Sequence, residues 1–193
     1  METATCNHTE QAIETQVTLA KEALDNLEYT AAAERLNKTI GMFQSSASAY
    51  RKVGLLLAQV GRELAHSPSL ERAHTFLHKA IEMQPLECQN WIALADCYRE
   101  SEEREKAVAV LQQALSVATD KLAVYEALLE IKQEEDESKE ALALLEQMQK
   151  LAPQNLDYRH RYAKLLKERG DEKEALEHYG TIVGSGADRK SVV

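Results

Sequence analysis

The 193-residue chain has 32 acidic and 23 basic side chains, a net charge of −9, and 44% of its residues are hydrophobic. The hydrophobic content excludes a disordered chain, and the acidity disfavours binding to nucleic acids or anionic membranes, both of which need a basic face. Glycine (7) and proline (3) are scarce, which indicates helices joined by short connections.

Residues 1–12 precede the first periodic residues, and we expect them to form a flexible N-terminus. They show no basic segment followed by an apolar one, so no secretory signal is expected. Nowhere do 18 apolar residues follow one another, so no membrane span is expected. Cys6, Cys88 and Cys97 form no CxxC motif and are expected to be buried or spectator thiols in a reducing compartment. We therefore expect a cytoplasmic protein, with the nucleus as the alternative.

Apolar residues then recur with a 34-residue period, which predicts the segments 13–46, 47–87, 88–121, 122–155 and 156–189. The third segment carries the pattern most completely, with apolar residues at Trp91, Leu94, Tyr98, Ala107, Leu111 and Ala114. The same spacing returns in the later segments at Tyr125, Leu128, Leu129, Ala141 and Leu145, and at Tyr162, Ala163, Leu166, Ala175 and Tyr179. Residues 190–193 are predicted to be a flexible tail.

The second segment fits the period only if seven extra residues, 62–68, lie between Gly61 and Ala73. Seven residues make about two helical turns. We therefore predict that they lengthen the first helix of this segment to about 47–66, with Ser67 as the N-cap of the next helix. A tolerated change of length and a partner-specific contact are both open interpretations of these residues.

The pattern resembles that of the tetratricopeptide repeat (TPR) family, W-x2-L-G-x2-Y followed by A-x3-F. The resemblance covers residues 13–189. It implies an all-α fold, a right-handed α-solenoid of about five helix-turn-helix hairpins. One hairpin cannot bury its own apolar face, so each must pack against its neighbours.

The resemblance also implies a concave groove lined by the first helix of each hairpin, which binds a partner peptide or helix. We expect it to be basic at both ends and acidic in the middle, with small residues at Ala93 and Ala127 leaving room for a ligand. A solvated face of mixed charge is the alternative. The candidate groove residues are Arg51, Lys52, Leu55, Gln89, Ile92, Ala93, Asp96, Arg99, Ala123, Glu126, Ala127, Glu130, His160, Arg161 and Lys164.

Three further features of the sequence bear on function. His74 and His78 have a spacing that can bind a metal ion, but no third ligand stands at a helical spacing, so we expect surface histidines and no metal. The C-terminal Lys190-Ser-Val-Val193 resembles a PDZ ligand. His178 stands where earlier repeats have Phe76, Val110 and Leu144, a position expected to contact the next hairpin, and a polar residue there indicates a terminal repeat.

No nucleotide-binding, zinc-protease or serine-hydrolase motif is present, so we expect neither catalysis nor a cofactor. The sequence favours a protein-interaction scaffold or adaptor within a multiprotein complex. The alternatives are a chaperone or assembly factor that binds a client transiently, and the regulatory subunit of an enzyme. Homo-oligomerisation through the convex face or the ends of the array stays open.

Overall fold

The computed structural model describes residues 2–39, 46–134 and 138–188, and within these ranges it contains ten helices and no strand. The helices are α1 (Glu2–Asp25), α2 (Tyr29–Thr39), α3 (Ala47–Glu63), α4 (Ser67–Met83), α5 (Cys88–Glu100), α6 (Arg104–Val117), α7 (Lys121–Glu134), α8 (Ser138–Leu151), α9 (Leu156–Arg169) and α10 (Glu172–Asp188). In this part of the chain no helix has both the length and the apolar character that crossing a membrane requires.

Consecutive helices pair as hairpins 1 to 5, and the hairpins belong to two compact units. The N-terminal unit, Met1–Asp120, holds hairpins 1 to 3, in which the first helices α1, α3 and α5 contact one another in succession. The C-terminal unit, Lys121–Val193, holds hairpins 4 and 5, in which α8 packs on both α7 and α9. The predicted all-α solenoid of helix hairpins is confirmed.

Helices reach both ends of the described residues. Helix α1 begins at Glu2, so residues 2–12, expected to be a flexible segment, are helical in the structure. At the other end α10 continues to Asp188. The predicted flexible tail and its PDZ-like motif, residues 190–193, lie outside the described residues.

Periodic apolar residues form the core of each unit. In the N-terminal unit Leu57, Leu77 and Leu94 are almost completely buried, and in the C-terminal unit Leu145 and Leu166 are. Burying a leucine side chain contributes roughly 1.5–3 kcal/mol. The 34-residue pattern is therefore the pattern of the side chains that hold the hairpins together.

Four hairpin turns share one backbone geometry. A residue with positive φ follows the first helix in each of them: Leu27 (61°), Ala65 (48°), Glu102 (63°) and Gly170 (90°). The next residue donates its N–H to a carbonyl five residues earlier, in the pairs Glu28–Ala23, His66–Gly61, Glu103–Tyr98 and Asp171–Leu166. These are Schellman turns, which satisfy the last carbonyls of a helix. Three of the four left-handed residues are not glycine.

The seven extra residues are divided between both helices of hairpin 2. The turn residues Leu27 and Ala65 are four positions further apart than the 34-residue repeat length. Ala65 and Glu102 are three positions further apart than that length. Accordingly α3 and α4 have 17 residues each, whereas α5 to α9 have 13 or 14. The prediction that only the first helix grows, to residue 66, is wrong because the turn at Ala65 ends α3 at Glu63. The N-cap of α4 is His66 and not Ser67.

Two glycines bring α3 and α4 of this longer hairpin close together. A β-carbon on Gly54 would lie 2.8 Å from Cγ of Leu77, and one on Gly61 would lie 2.7 Å from Cγ of Leu70. The two glycines are seven residues apart and so lie on one face of α3. Gly61 is buried at this contact.

Side chains of the second helices contact both their own hairpin and the next one. Phe76 lies edge-on against Tyr50, and His178 lies 4.8 Å from Tyr162, so each contacts the first helix of its own hairpin. Leu142 instead forms a cluster with Leu166 of α9 and Ala175 of α10. Leu144, the counterpart of His178 in hairpin 4, also packs against a cluster that contains Tyr158 of α9. Leu142 and Leu144 both lie near the next hairpin, and the interpretation of His178 as the mark of a terminal repeat stays a prediction.

Candidate functional site

The first-helix face of the N-terminal unit contains eight of the fifteen candidate groove residues. Lys52, Leu55 and Gln89 are exposed, while Arg51, Ile92, Asp96 and Arg99 are half-buried. Ala93 is buried in the core of this unit, so it cannot leave room for a ligand as predicted. Seven residues of this set therefore present some surface.

Two of the cations on this face have carboxylate partners within the chain. Lys52 Nζ of α3 lies 3.2 Å from Glu14 Oε1 of α1, and both side chains are exposed. Arg99 Nη2 donates to Asp96 Oδ1, also at 3.2 Å, one turn earlier on α5. The basic ends and acidic middle expected of the groove stay a prediction, and in this unit these two cations each lie beside a carboxylate.

Arg51 is held by a residue that the sequence analysis did not single out. Its Nη1 donates to Oδ1 of Asn90 at 2.9 Å, and Asn90 is completely buried. The Asn90 amide nitrogen donates in turn to the carbonyls of Ala80 (3.0 Å) and Gln84 (3.2 Å), which lie at the end of α4. Asn90 thus links α3, α4 and α5. A polar residue within an otherwise apolar repeat pattern was the signal that could have identified it.

A cavity of about 320 Å³ opens between α1 and α3 at one end of this face. Its lining combines apolar side chains with groups that can donate or accept hydrogen bonds. The residues are Gln11, Ile13, Glu14, Val17, Ser46, Ser48, Ala49 and Lys52. Lys52 is the candidate groove residue that lines it, and the Lys52–Glu14 ion pair lies at its wall.

In the C-terminal unit, Glu126 of α7 and Arg161 of α9 form the best-defined pair. Arg161 Nη1 lies 2.9 and 2.8 Å from the two carboxylate oxygens of Glu126, and both side chains are about two-thirds buried. Burial and then the Glu126 carboxylate raise the pKa of the neighbouring Tyr158. Arg161, expected as part of a basic end, is therefore neutralised by Glu126, expected as part of the acidic middle.

The other candidates of this unit are more accessible. Glu130, His160 and Lys164 are exposed, and Ala123 and Ala127 are half-buried. Lys164 Nζ lies 3.7 Å from Glu168, and the His160 ring lies 5.7 Å from that of Tyr179.

His74 and His78, the two histidines with metal-binding spacing, differ in burial. His78 is exposed, but the half-buried His74 ring lies 4.5 Å from that of Tyr98, so the prediction of a surface residue is wrong for His74. Burial is the main cause that lowers the pKa of His74, against the opposing effect of Glu103. Among the described residues, no three His, Cys, Asp or Glu side chains are grouped so that they could hold a metal ion.

Two of the cysteines are buried and unpaired, as predicted. Burial is the first cause that raises the pKa of Cys88, and it raises the pKa of Cys97 to about 11. A thiol that stays protonated is a poor nucleophile. Cys88 and Cys97 therefore act as small core residues.

The extra residues of hairpin 2 contact the hairpins on either side. Arg62 of α3 forms an ion pair with Glu100 at the end of α5. Burial, and then the nearby Glu63 carboxylate, raise the pKa of Tyr29 at the start of α2. Leu64 and Ala65 at the tip are exposed. The added turn is thus integrated into the N-terminal unit and leaves only its tip accessible.

Comparisons with known proteins give the fold. The chain matches no protein-family model and no curated protein. It is similar to the crystal structure of a thermophilic TPR protein of Thermus thermophilus, with 26% identity over 80% of this chain and 81% of that one, at a TM-score of 0.57. MamA from Desulfovibrio magneticus RS-1 gives 15% identity, 94% and 98% coverage and a TM-score of 0.56. PilF of Pseudomonas aeruginosa gives 16% identity over 90% of this chain and 76% of that one, at a TM-score of 0.57. The chain has the TPR fold, which confirms the resemblance without identifying a particular member.

Proposed function

We propose that the chain is a protein-interaction scaffold that binds a peptide or helix of another protein on its first-helix face. The observation that carries this proposal is the cavity between α1 and α3, because it places a concave, chemically mixed surface on that face. Binding sites for peptides combine an apolar floor with a few polar groups that fix orientation. Ile13 and Val17 form the apolar floor, and Ser48, Gln11 and Lys52 provide the polar groups.

The ion pair at the wall of the cavity suggests which partner group binds there. Lys52 and Glu14 are both exposed, and an exposed pair of this kind contributes about 0–1 kcal/mol. A carboxylate of a partner can therefore replace Glu14 beside Lys52 at little cost. The proposed partner segment presents an acidic side chain next to an apolar one.

The proposal is tested by affinity capture with a matched pair of charge reversals. Lys52 and Lys79 are exposed to nearly the same degree, 48% and 50%, and each has one glutamate partner within the chain, Glu14 and Glu82. Lys79 lies on α4, a second helix. Lys52→Glu and Lys79→Glu therefore change charge and stability similarly, but only the first alters the proposed site.

Quantitative mass spectrometry of proteins captured by the wild type and both variants gives the readout. We expect a set of partners that Lys79→Glu retains and Lys52→Glu loses, and a Ser48→Trp substitution that fills the cavity should lose the same set. If Lys52→Glu and Ser48→Trp retain every partner of the wild type, the first-helix face of this unit is not the binding surface.

A further inference from the structure

The last described helix, α10, exposes two large apolar side chains, Leu176 and Val183, whose counterparts in earlier hairpins are buried or half-buried. Leu176 follows Leu142 by one repeat length and holds the same repeat position. Leu142 is 7% exposed because α9 and α10 cover it, whereas Leu176 is 70% exposed. Val183, seven residues further along α10, is 72% exposed, while its counterpart in hairpin 2, Ile81, is buried.

The structure shows what covers this position inside the array. Leu142 clusters with Leu166, which lies on the first helix of the next hairpin. In the N-terminal unit, His74 holds the position of Leu142 and packs on Tyr98, which holds the position of Leu166 on the first helix of the next hairpin. In both units the covering element is therefore an amphipathic helix with a large apolar or aromatic side chain.

Gly180 lies between the two exposed side chains. Leu176, Gly180 and Val183 follow one another at spacings of four and three, so they form one face of α10. A β-carbon on Gly180 would have no neighbour within 4 Å, which leaves space for close approach of another helix. We name these three residues the α10 outer face.

Charge around the α10 outer face separates two kinds of occupant. Glu172 and Glu177 flank it, with one cation, Lys173, and all three side chains are exposed. At the corresponding positions of α8 stand Ser138, Ala143 and Lys139, while Glu146 stands in place of Gly180, so these positions carry one more net negative charge on α10. Helix α9, which covers α8, has five Lys or Arg residues against Asp157 and Glu168. A basic helix is therefore favoured over a second copy of this chain, whose net charge is −9.

We infer that the α10 outer face binds a basic amphipathic helix of another protein, in the place that the first helix of a following hairpin would occupy. Leu176 and Val183 provide the apolar contact, and Glu172 and Glu177 pair with basic residues along the edges of that helix. This surface is separate from the first-helix face, so the inference goes beyond the proposed function and does not depend on it.

Helix α9 itself supplies the probe, because it covers Leu142 within the array. In a fluorescein-labelled peptide of residues 156–169, a His160→Glu replacement is joined to Lys164 by a lactam bridge, which holds the peptide helical on the side away from Tyr162 and Leu166. Its binding to the full chain is measured by fluorescence anisotropy. A Leu176→Asp/Val183→Asp variant tests the α10 outer face. Leu27→Asp is the matched control, because Leu27 is also 70% exposed but lies in a hairpin turn.

We expect the peptide to bind the wild type and Leu27→Asp equally and the double variant at least tenfold more weakly, with unchanged circular dichroism for all three. Leu176→Gln/Val183→Gln should give the same loss without added charge. Equal binding to all variants, or no binding to the wild type, overturns the inference. A dimer of the wild type that the double variant abolishes, without peptide binding, also overturns it and identifies a second copy as the occupant.

Discussion

Gly61 of α3 and Leu70 of α4 are so close that no side chain fits between the two helices. A β-carbon on Gly61 would lie 2.7 Å from Cγ and 3.0 Å from the backbone nitrogen of Leu70. The backbone nitrogen cannot move aside as a side chain can. This contact lies in the part of hairpin 2 that exceeds the 34-residue repeat, so the added turn is closely packed.

The first prediction is that Gly61→Ala destabilises the protein. Overpacking costs about 1–3 kcal/mol, whereas alanine gains about 1 kcal/mol over glycine in a helix interior. We expect a net loss of about 1 kcal/mol in the free energy of unfolding, measured by urea denaturation. Gly180→Ala, with nothing within 4 Å of its new β-carbon, is the control and should be neutral or stabilising. Equal stability of Gly61→Ala and the wild type would contradict the close contact.

The second prediction concerns the left-handed turn residues. A non-glycine residue in this conformation costs about 1–2 kcal/mol relative to its right-handed one. Because Ala65 has φ of 48°, we expect Ala65→Gly to raise the thermal midpoint, and because Gly170 has φ of 90°, we expect Gly170→Ala to lower it. Calorimetry of both variants measures whether their thermal midpoints shift in these opposite directions. Changes of the same sign in both would show that the turns do not share one geometry.

The third prediction concerns the buried amide that joins three helices. Asn90→Leu fills similar space but removes three side-chain hydrogen bonds, one from the Arg51 guanidinium and two to the Ala80 and Gln84 carbonyls, which then keep only their backbone N–H donors. An intramolecular hydrogen bond contributes about 0.5–1.5 kcal/mol, so we expect the three together to give a loss of about 2 kcal/mol or more on urea unfolding. Arg51→Met removes only the partly exposed partner and should cost less. If Arg51→Met lowers the free energy of unfolding by as much as Asn90→Leu does, the arginine and not the buried amide provides most of the stabilisation.

The fourth prediction is a loss of stability in mild acid that arises from His74. Its pKa is lowered, first by burial, so the unfolded chain binds a proton more readily than the folded one. Stability is therefore complete above the unfolded pKa of about 6.5 and decreases as the pH falls below it, until the folded pKa is reached. Glu103 partly opposes the shift, while His78 and Lys106 add to it.

Replacing His74 tests this assignment. His74→Phe keeps a ring against Tyr98, and we expect it to reduce the difference in thermal midpoint between pH 7.5 and pH 5.5. His78→Gln, an exposed position on the same helix, should leave most of that difference in place. An unchanged pH dependence in His74→Phe would assign the effect to other groups.

Much of the fold follows from periodicity, because the buried leucines and alanines that define the repeat are the ones that pack the hairpins. The position of the turn in hairpin 2 does not follow, because Ala65 adopts a left-handed conformation without glycine, the usual sequence signal. The candidate surface was predictable only as a set of positions. Which cations are neutralised depends on contacts such as Arg51–Asn90 and Arg161–Glu126, which join residues 39 and 35 positions apart.

The residues that face the next hairpin do not follow from periodicity either. Periodicity identifies residues that are buried, but it does not say which neighbouring helix covers each one. Leu142 and Leu144 are both apolar residues of α8, and only the three-dimensional packing shows that Leu142 clusters with α9 and α10. The exposed Leu176 could therefore be identified only after its covered counterpart was known.

The division of the extra residues in hairpin 2 has a consequence for how such arrays change length. Four residues in one helix and three in the other are each close to the 3.6 residues of a turn, so the two helices keep their mutual phase while the hairpin grows by roughly 5 Å. Growth by matched turns on both legs leaves the stacking faces in place. The tip at Leu64 and Ala65 is accordingly a point where a fluorophore or a fused domain can be attached without disturbing the stack.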